Sequence, residues 1–246
     1  IAAALAAAFW PGPLTLILQR NDDCPVAMLT TAGLDKVGVR VPAHRSAQTL
    51  LQAFGKPIAA PSANPSGRIS PSTAKHVLDG LGGRLDLVLD GGSCESGLES
   101  TIIDCTGDAA RLLRPGGITR EALAAALTAA NCNPQIDIAE PLADHENPAA
   151  PGQLASHYAP KAAVRLMAKT STADEELIGF GTVSGAGKLA LNLSPSADLV
   201  EAAANLFSML HAVDAADIAK IAIAPIPDID LGEAINDRLR RAAAPR

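Results

Sequence analysis

Apolar positions follow two rhythms in the first half of the chain. Short runs at 14–19, 37–41, 57–60, 85–90, 101–105 and 111–114 predict strands, and segments at 46–54, 71–80 and 120–129 carry helical spacing. Their alternation is that of an α/β layer arrangement. Thr119 ahead of REALAAAL reads as an N-cap, with Glu121 placed to complement the helix dipole. Residues 1–9, IAAALAAAF, lack a basic flank and a cleavage pattern, so they predict a helix packed inside a domain. Across 131–160 the periodicity fades, and Pro134, Pro141, Pro148, Pro151 and Pro160 mark an ordered linker. A smaller α/β domain is expected over 161–246, with strands at 164–167, 177–180, 188–193 and 220–224 and helices at 197–213 and 231–243. In the longer helix Leu199, Ala203, Leu206, Leu210 and Val213 form one apolar stripe, suited to packing against a small sheet.

Composition narrows the function classes. The 246 residues are 48% hydrophobic, enough for two modest cores, and no apolar run is long enough to cross a bilayer. Cys24, Cys94, Cys105 and Cys132 form no CxxC pair and have no histidines at metal spacing, so reduced thiols, a cytoplasmic location and no protein-held metal are expected. A net charge of −6 and 2% aromatic content argue against a stable direct grip on nucleic acid. The first residue is not methionine, and the chain is expected to begin inside a longer protein.

Candidate chemistry concentrates in PIAAPSANPSGRISPST (57–73). Pro61 stops a strand, and Ser62, Asn64, Ser66 and Ser70 then present short polar side chains with little entropy to lose. Such clusters are also ordinary connections. Ser70-Pro71 predicts a helix start whose free N–H groups favour a phosphate or carboxylate. Arg40 interrupts the apolar VGVRV, where it serves either an internal ion pair or an anionic substrate. Arg114 precedes Pro115-Gly116-Gly117, a turn that lets backbone approach a ligand, although a solvated strand-end arginine fits the same pattern. Ser100 and Thr101 follow the flexible GGSCESGLES, so their hydroxyls suit a ligand or local turn bonds. His44, His76, His145 and His211 share no metal spacing and read as surface or capping residues. GFGTVSGAGK (179–188) misses the spacing of the nucleotide-binding glycine motifs.

WPGPLTLIL (10–18), VGVRVP (37–42), ESTIID (99–104), LLRPGGIT (112–119) and APGQLASHYAP (150–160), together with the SAN signature, occur in the same order in one known family. The chain resembles the two-domain YrdC-type threonylcarbamoyl-AMP synthases of tRNA modification over nearly its whole length. The resemblance implies a YrdC-like twisted-sheet domain over 1–130, a linker over 131–160 and a Rossmann-like C-terminal domain over 161–246. It implies a nucleotidyltransferase that makes L-threonylcarbamoyl-AMP and pyrophosphate from L-threonine, bicarbonate and ATP with Mg²⁺. A downstream tRNA threonylcarbamoyl transferase would take the product.

By the same resemblance, Ser62, Asn64, Ser70, Arg114 and Tyr158 would bind ATP, while Arg40, Ala60 and Ser100 would border threonine. SHYAP would fold over the cavity, with interdomain packing the other role open to Tyr158. Two positions depart from the family pattern: Ala155 stands where many relatives have a tyrosine, and Lys36 replaces a common threonine. The family's KxR motif has no counterpart in these residues, so catalytic residues stay unassigned and the fragment is expected to be inactive. The rival readings are a noncatalytic RNA-binding module and a carbamoyl-transfer domain of the hydrogenase-maturation type. The acidic balance opposes the first, and the SHYAP linker with its C-terminal domain opposes the second.

Overall fold

A computed structural model describes residues 1–139 and 156–245. It divides into two compact units, one formed by Ile1–Pro61 with Glu99–Gln153 and the other by Ser62–Leu98 with Leu154–Arg246.

The first unit is built on a five-stranded sheet in the order β2-β1-β3-β4-β5. Its strands are β1 (Leu14–Gln19), β2 (Lys36–Val39), β3 (Thr101–Asp104), β4 (Ala110–Arg114) and β5 (Ile136–Ile138). β1 runs parallel to β3 and antiparallel to β2; β3 and β4 are antiparallel, and β4 and β5 parallel. Leu14, Leu16, Ile103 and Leu112 join Leu5 of helix α1 (Ala2–Phe9) and Leu123 and Leu127 of helix α4 (Arg120–Ala129) in one core cluster. Thr119 caps α4 as expected, its hydroxyl accepting from Ala122 N at 3.2 Å. Helix α2 (Arg45–Phe54) also belongs to this unit.

The second unit has a wholly parallel sheet, β6-β8-β7, from Ala163–Arg165 (β6), Glu176–Ile178 (β7) and Lys220–Ile223 (β8). Helices α5 (Leu199–Ala215) and α6 (Leu231–Ala243) cover it. Ala203, Leu206, Leu210 and Val213 are buried on the expected stripe, joined by Ala202 and Phe207, and Leu199 packs partly buried beside them. Helix α3 (Ala74–Leu81) belongs to this unit as well.

Several expected elements differ. Residues 57–60 and 85–90 form no strand, and Leu85, Leu87 and Leu89 are exposed. Alternation buries a face only when a ladder partner exists, and neither segment is paired among the described residues. Residues 188–193 contribute only isolated bridges, such as Gly179 with Asn192. Helix α3 starts three residues later than the Ser-Pro pair suggests. Thr73 is its N-cap, accepting from His76 N at 3.2 Å, and Ser70 is buried instead of capping. Part of the expected linker, including Ala155, lies outside the described residues, as does His145.

Candidate functional site

Strand order explains which polar groups meet in the first unit. Parallel pairing of β1 and β3 sets Leu14 opposite Thr101, so the hydroxyls at the heads of the two strands lie side by side. Thr15 Oγ1 and Ser100 Oγ are 2.7 Å apart. Antiparallel return of β4 sets Arg114 opposite Ile102, one step from the same place. Its Nε and Nη2 donate to the Ser100 carbonyl at 3.2 and 2.9 Å, and Nη2 reaches Ser100 Oγ at 3.2 Å. At 8% exposure, Arg114 is a fixed buried cation rather than a solvated strand-end side chain. Ser100, at 6%, is its anchor.

The turn after Arg114 is fastened to the head of β3. Thr101, fully buried, donates through Oγ1 to the Ile118 carbonyl at 2.7 Å and accepts from Ile118 N at 2.9 Å. Gly117 N donates to the Glu99 carbonyl at 3.0 Å. A Cβ at Gly116 would stand 2.6 Å from the Ser100 carbonyl carbon, so only glycine allows this close approach.

Arg40 lies just beyond β2, is exposed, and donates through Nε to the Gly12 carbonyl at 3.0 Å. Gly12 N in turn donates to the Val41 carbonyl at 2.8 Å, which ties WPGPLT to VGVRVP. Among the described residues Arg40 has no acidic partner. Desolvation by the surrounding protein pulls its pKa below the ordinary arginine value although much of the residue is open, and it remains a cation at neutral pH. Ala60 is exposed in irregular backbone, short of the strand expected there. Lys36, in place of the family's threonine, pairs with Asp104 at 2.9 Å. Burial raises the Asp104 carboxyl, but the Thr106 hydroxyl and amide and Lys36 outweigh it and hold the group below the usual carboxylate range. Burial pushes the Cys105 thiol up to about 11, which makes it a poor nucleophile.

In the second unit the SAN loop and the SHYAP end come together. Ala159 N donates to the Gly67 carbonyl at 3.0 Å, and Arg68 and Ala159 form a parallel bridge. Gly67 turns there at φ +78°, which favours glycine. Asn64 Nδ2 donates to the Pro65 and Arg68 carbonyls at 3.0 and 3.1 Å, while its buried Oδ1 has no partner among the described residues. Ser62 is exposed, and Ser70 is buried.

Tyr158 is 1% exposed and holds φ at 60°, uncommon for a non-glycine residue. Its ring lies in the core, with Arg238 Cζ 5.0 Å from the centroid and Phe207 at 5.7 Å. Burial gives this ring an anchoring role. The neighbouring His157 donates its backbone N–H to the Arg241 carbonyl at 3.2 Å, fastening the segment to α6.

Thus Arg114 and Ser100 meet in the first unit, which also carries Arg40 and Ala60, while Ser62, Asn64, Ser70 and Tyr158 belong to the second. Two features had no clear sequence signal. Thr15 was a lone hydroxyl inside an apolar strand. His76 and His211, from different segments and expected in surface or capping roles, stack with ring centroids 3.7 Å apart. Among the described residues no three His, Cys, Asp or Glu side chains cluster as metal ligands, and no helix is long and apolar enough to cross a membrane.

Two family matches cover almost the whole chain: "Telomere recombination" over residues 1–116 and "Threonylcarbamoyl-AMP synthase, C-terminal domain" over 118–244. The threonylcarbamoyl-AMP synthase of Bacillus subtilis is 37% identical over all of this chain and 73% of its own length. That of Pyrococcus abyssi is 36% identical over all of this chain and 74% of its own. A crystal structure of Pyrococcus abyssi Sua5 complexed with L-threonine superposes with a TM-score of 0.84 at 34% identity, covering 98% of this chain and 73% of that one. A histidine–tyrosine double-alanine variant of the same archaeal protein gives a TM-score of 0.82 at 33% identity, over 98% and 72% of the two chains. The expectation that the fragment is inactive finds no support in these likenesses.

Proposed function

The chain belongs to the two-domain threonylcarbamoyl-AMP synthases, and from that membership we propose that it condenses L-threonine, bicarbonate and ATP into L-threonylcarbamoyl-AMP and pyrophosphate. Threonine's amine captures carbon dioxide or bicarbonate, with loss of water in the latter case. The resulting carbamate oxygen attacks the α-phosphorus, and pyrophosphate leaves. Such a reaction needs little covalent help from protein; it needs reactants held in line and charge stabilised. Mg²⁺ enters with ATP as part of the substrate and neutralises its phosphates.

Residue roles follow the family pattern. Arg40, Ala60 and Ser100 take the threonine side. Ser62, Asn64, Ser70 and Arg114 take the ATP side, joined by Tyr158 through the segment it anchors. Asn64 Oδ1, without a partner among the described residues, is an acceptor suited to a nucleotide hydroxyl or amine. The operative division is a catalytic domain over 1–130, a linker over 131–160 and a Rossmann-like domain over 161–246, the last read from its parallel β6-β8-β7 sheet. Product would pass, in the cytoplasm, to a tRNA-modifying transferase.

The observation that supports this reading most directly is the whole-length likeness to synthases, including one whose structure holds L-threonine. Calorimetric titration tests it: ATP and L-threonine should each bind the folded protein. A folded protein that takes up neither would remove the reading.

A further inference from the structure

His76 on α3 and His211 on α5 lie within one unit, and their rings stack at 3.7 Å with planes 19° apart. Each grips the backbone of the segment that opens α3. His76 Nδ1 stands 3.3 Å from Ser72 N and 3.2 Å from Ser72 Oγ. His211 Nε2 stands 3.1 Å from the Ser70 carbonyl, 141 residues away in sequence.

Donor and acceptor roles follow from the backbone partners. A backbone N–H only donates, so His76 Nδ1 must be an unprotonated acceptor, with the ring's proton on Nε2. A carbonyl only accepts, so His211 Nε2 carries a proton. Together the rings fix both flanks of Pro71 in the Ser70–Ser72 stretch. We propose that the His76–His211 stack is a positioning device for the Ser70 segment of the ATP site, and that protonation of His76 releases this segment. The proposal rests on the function given above, in which Ser70 lies on the ATP side.

The groups around the stack decide which form of His76 the fold favours. Lys75 and Asp79 flank His76 on α3 and pair with each other at 2.6 Å, and His211 faces it from α5. Cys94 meets the same stretch through its backbone N–H, which donates to the Ser72 carbonyl at 2.9 Å. Burial first, then His211 and Lys75, push the His76 pKa below the ordinary histidine value, and Asp79 only partly opposes them. Neutral His76 is therefore favoured in the folded state. The stabilisation it gives is fully present above the unfolded histidine pKa and is lost as pH falls through the lower folded one. A proton on Nδ1 would set a donor against the Ser72 N–H.

Asparagine provides the discriminating variant. In His76→Asn, Oδ1 can take the place of Nδ1 as acceptor without titrating in this range. Two readouts are compared between wild type and His76→Asn from about pH 8 to about pH 5, which extends below the ordinary histidine value. The first is amide hydrogen exchange over residues 70–76, corrected for intrinsic exchange at each pH, which needs no nucleotide. The second is the Kd for ATP, taken as the ratio of wild type to variant because ATP's own terminal phosphate titrates in the same range. Wild type should lose protection at Ser72 on acidification while the variant keeps it, and the Kd ratio should rise by about fivefold, the effect of one lost hydrogen bond. Equal pH profiles of exchange, or a flat Kd ratio in a protein that binds ATP, would overturn the proposal. Failure of the wild type to bind ATP at the upper pH, with the exchange difference intact, would instead remove the synthase reading and with it the nucleotide role of the stack.

Discussion

Truncating Arg114 should cost stability as well as nucleotide affinity, and the hydrogen bonds of the first unit fix the order of effects among its neighbours. In Arg114→Ala the Ser100 carbonyl loses both of its guanidinium donors, whereas Ser100 Oγ keeps Thr15 at 2.7 Å. Orphaning one buried acceptor costs about 1 to 3 kcal/mol, and loss of the packed aliphatic stem brings the total to roughly 2 to 4 kcal/mol. Ser100→Ala removes one hydroxyl and leaves the guanidinium on the carbonyl, so it should cost only about 1 kcal/mol. Thr15→Val deletes only the Thr15–Ser100 contact, whereas Ser100→Ala also removes the Arg114 Nη2 bond to Oγ, so Thr15→Val should cost no more than Ser100→Ala, and the double variant should fall short of additivity by about 0.5 to 1 kcal/mol. Urea titrations with an unchanged m-value read these differences as shifts in midpoint. ATP calorimetry on the folded variants should show Arg114→Ala binding at least about tenfold more weakly, as expected for a lost charge-assisted contact. An Arg114→Ala protein no less stable than Ser100→Ala would refute the buried-anchor account, and unchanged ATP affinity would leave the arginine structural only.

Thr101→Val deletes both bonds to Ile118 at a fully buried position and should destabilise by about 2 kcal/mol or more in urea, while Thr101→Ser should stay within about 1 kcal/mol of wild type. Gly116→Ala drives a Cβ into the Ser100 backbone, which cannot swing aside as a side chain can; a loss of about 1 to 3 kcal/mol in stability and weaker threonine binding by calorimetry are expected. Asp104→Asn should be less stable than wild type at neutral pH, and the gap should close as pH falls through the depressed Asp104 pKa, because stabilisation by a carboxylate with a lowered folded pKa is present above its unfolded value and lost on protonation. Parallel urea titrations at neutral and strongly acidic pH would register that convergence, and a gap that persists in acid would contradict it.

Strands β1, β3 and β4 were legible because their apolar residues enter a core directly, so local pattern and tertiary outcome agree. The same pattern failed at 57–60 and 85–90, where a strand needs a ladder partner that local sequence does not supply. Ser70-Pro71 resembled a helix start, yet Thr73 became the cap and Ser70 was buried beneath His211, a contact set by α5 from far along the chain. Arg114 was legible as a candidate from the Pro-Gly-Gly that follows it. Thr15, which bonds the Ser100 hydroxyl that Arg114 also reaches, was not, because that meeting depends on the parallel register of β1 with β3 and the return of β4. The SHYAP motif drew attention to Tyr158, while the ring's burial against Phe207 and beneath Arg238 depended on α5 and α6 closing over it.

Product analysis with isotopically labelled bicarbonate is the most direct test of the central claim. Incubated with Mg·ATP, L-threonine and the label, the protein should form threonylcarbamoyl-AMP carrying the labelled carbon, with one pyrophosphate released per product and no product when any one substrate is omitted. Pyrophosphate release that proceeds without threonine, or ATP consumption that yields no labelled threonylcarbamoyl-AMP, would contradict it.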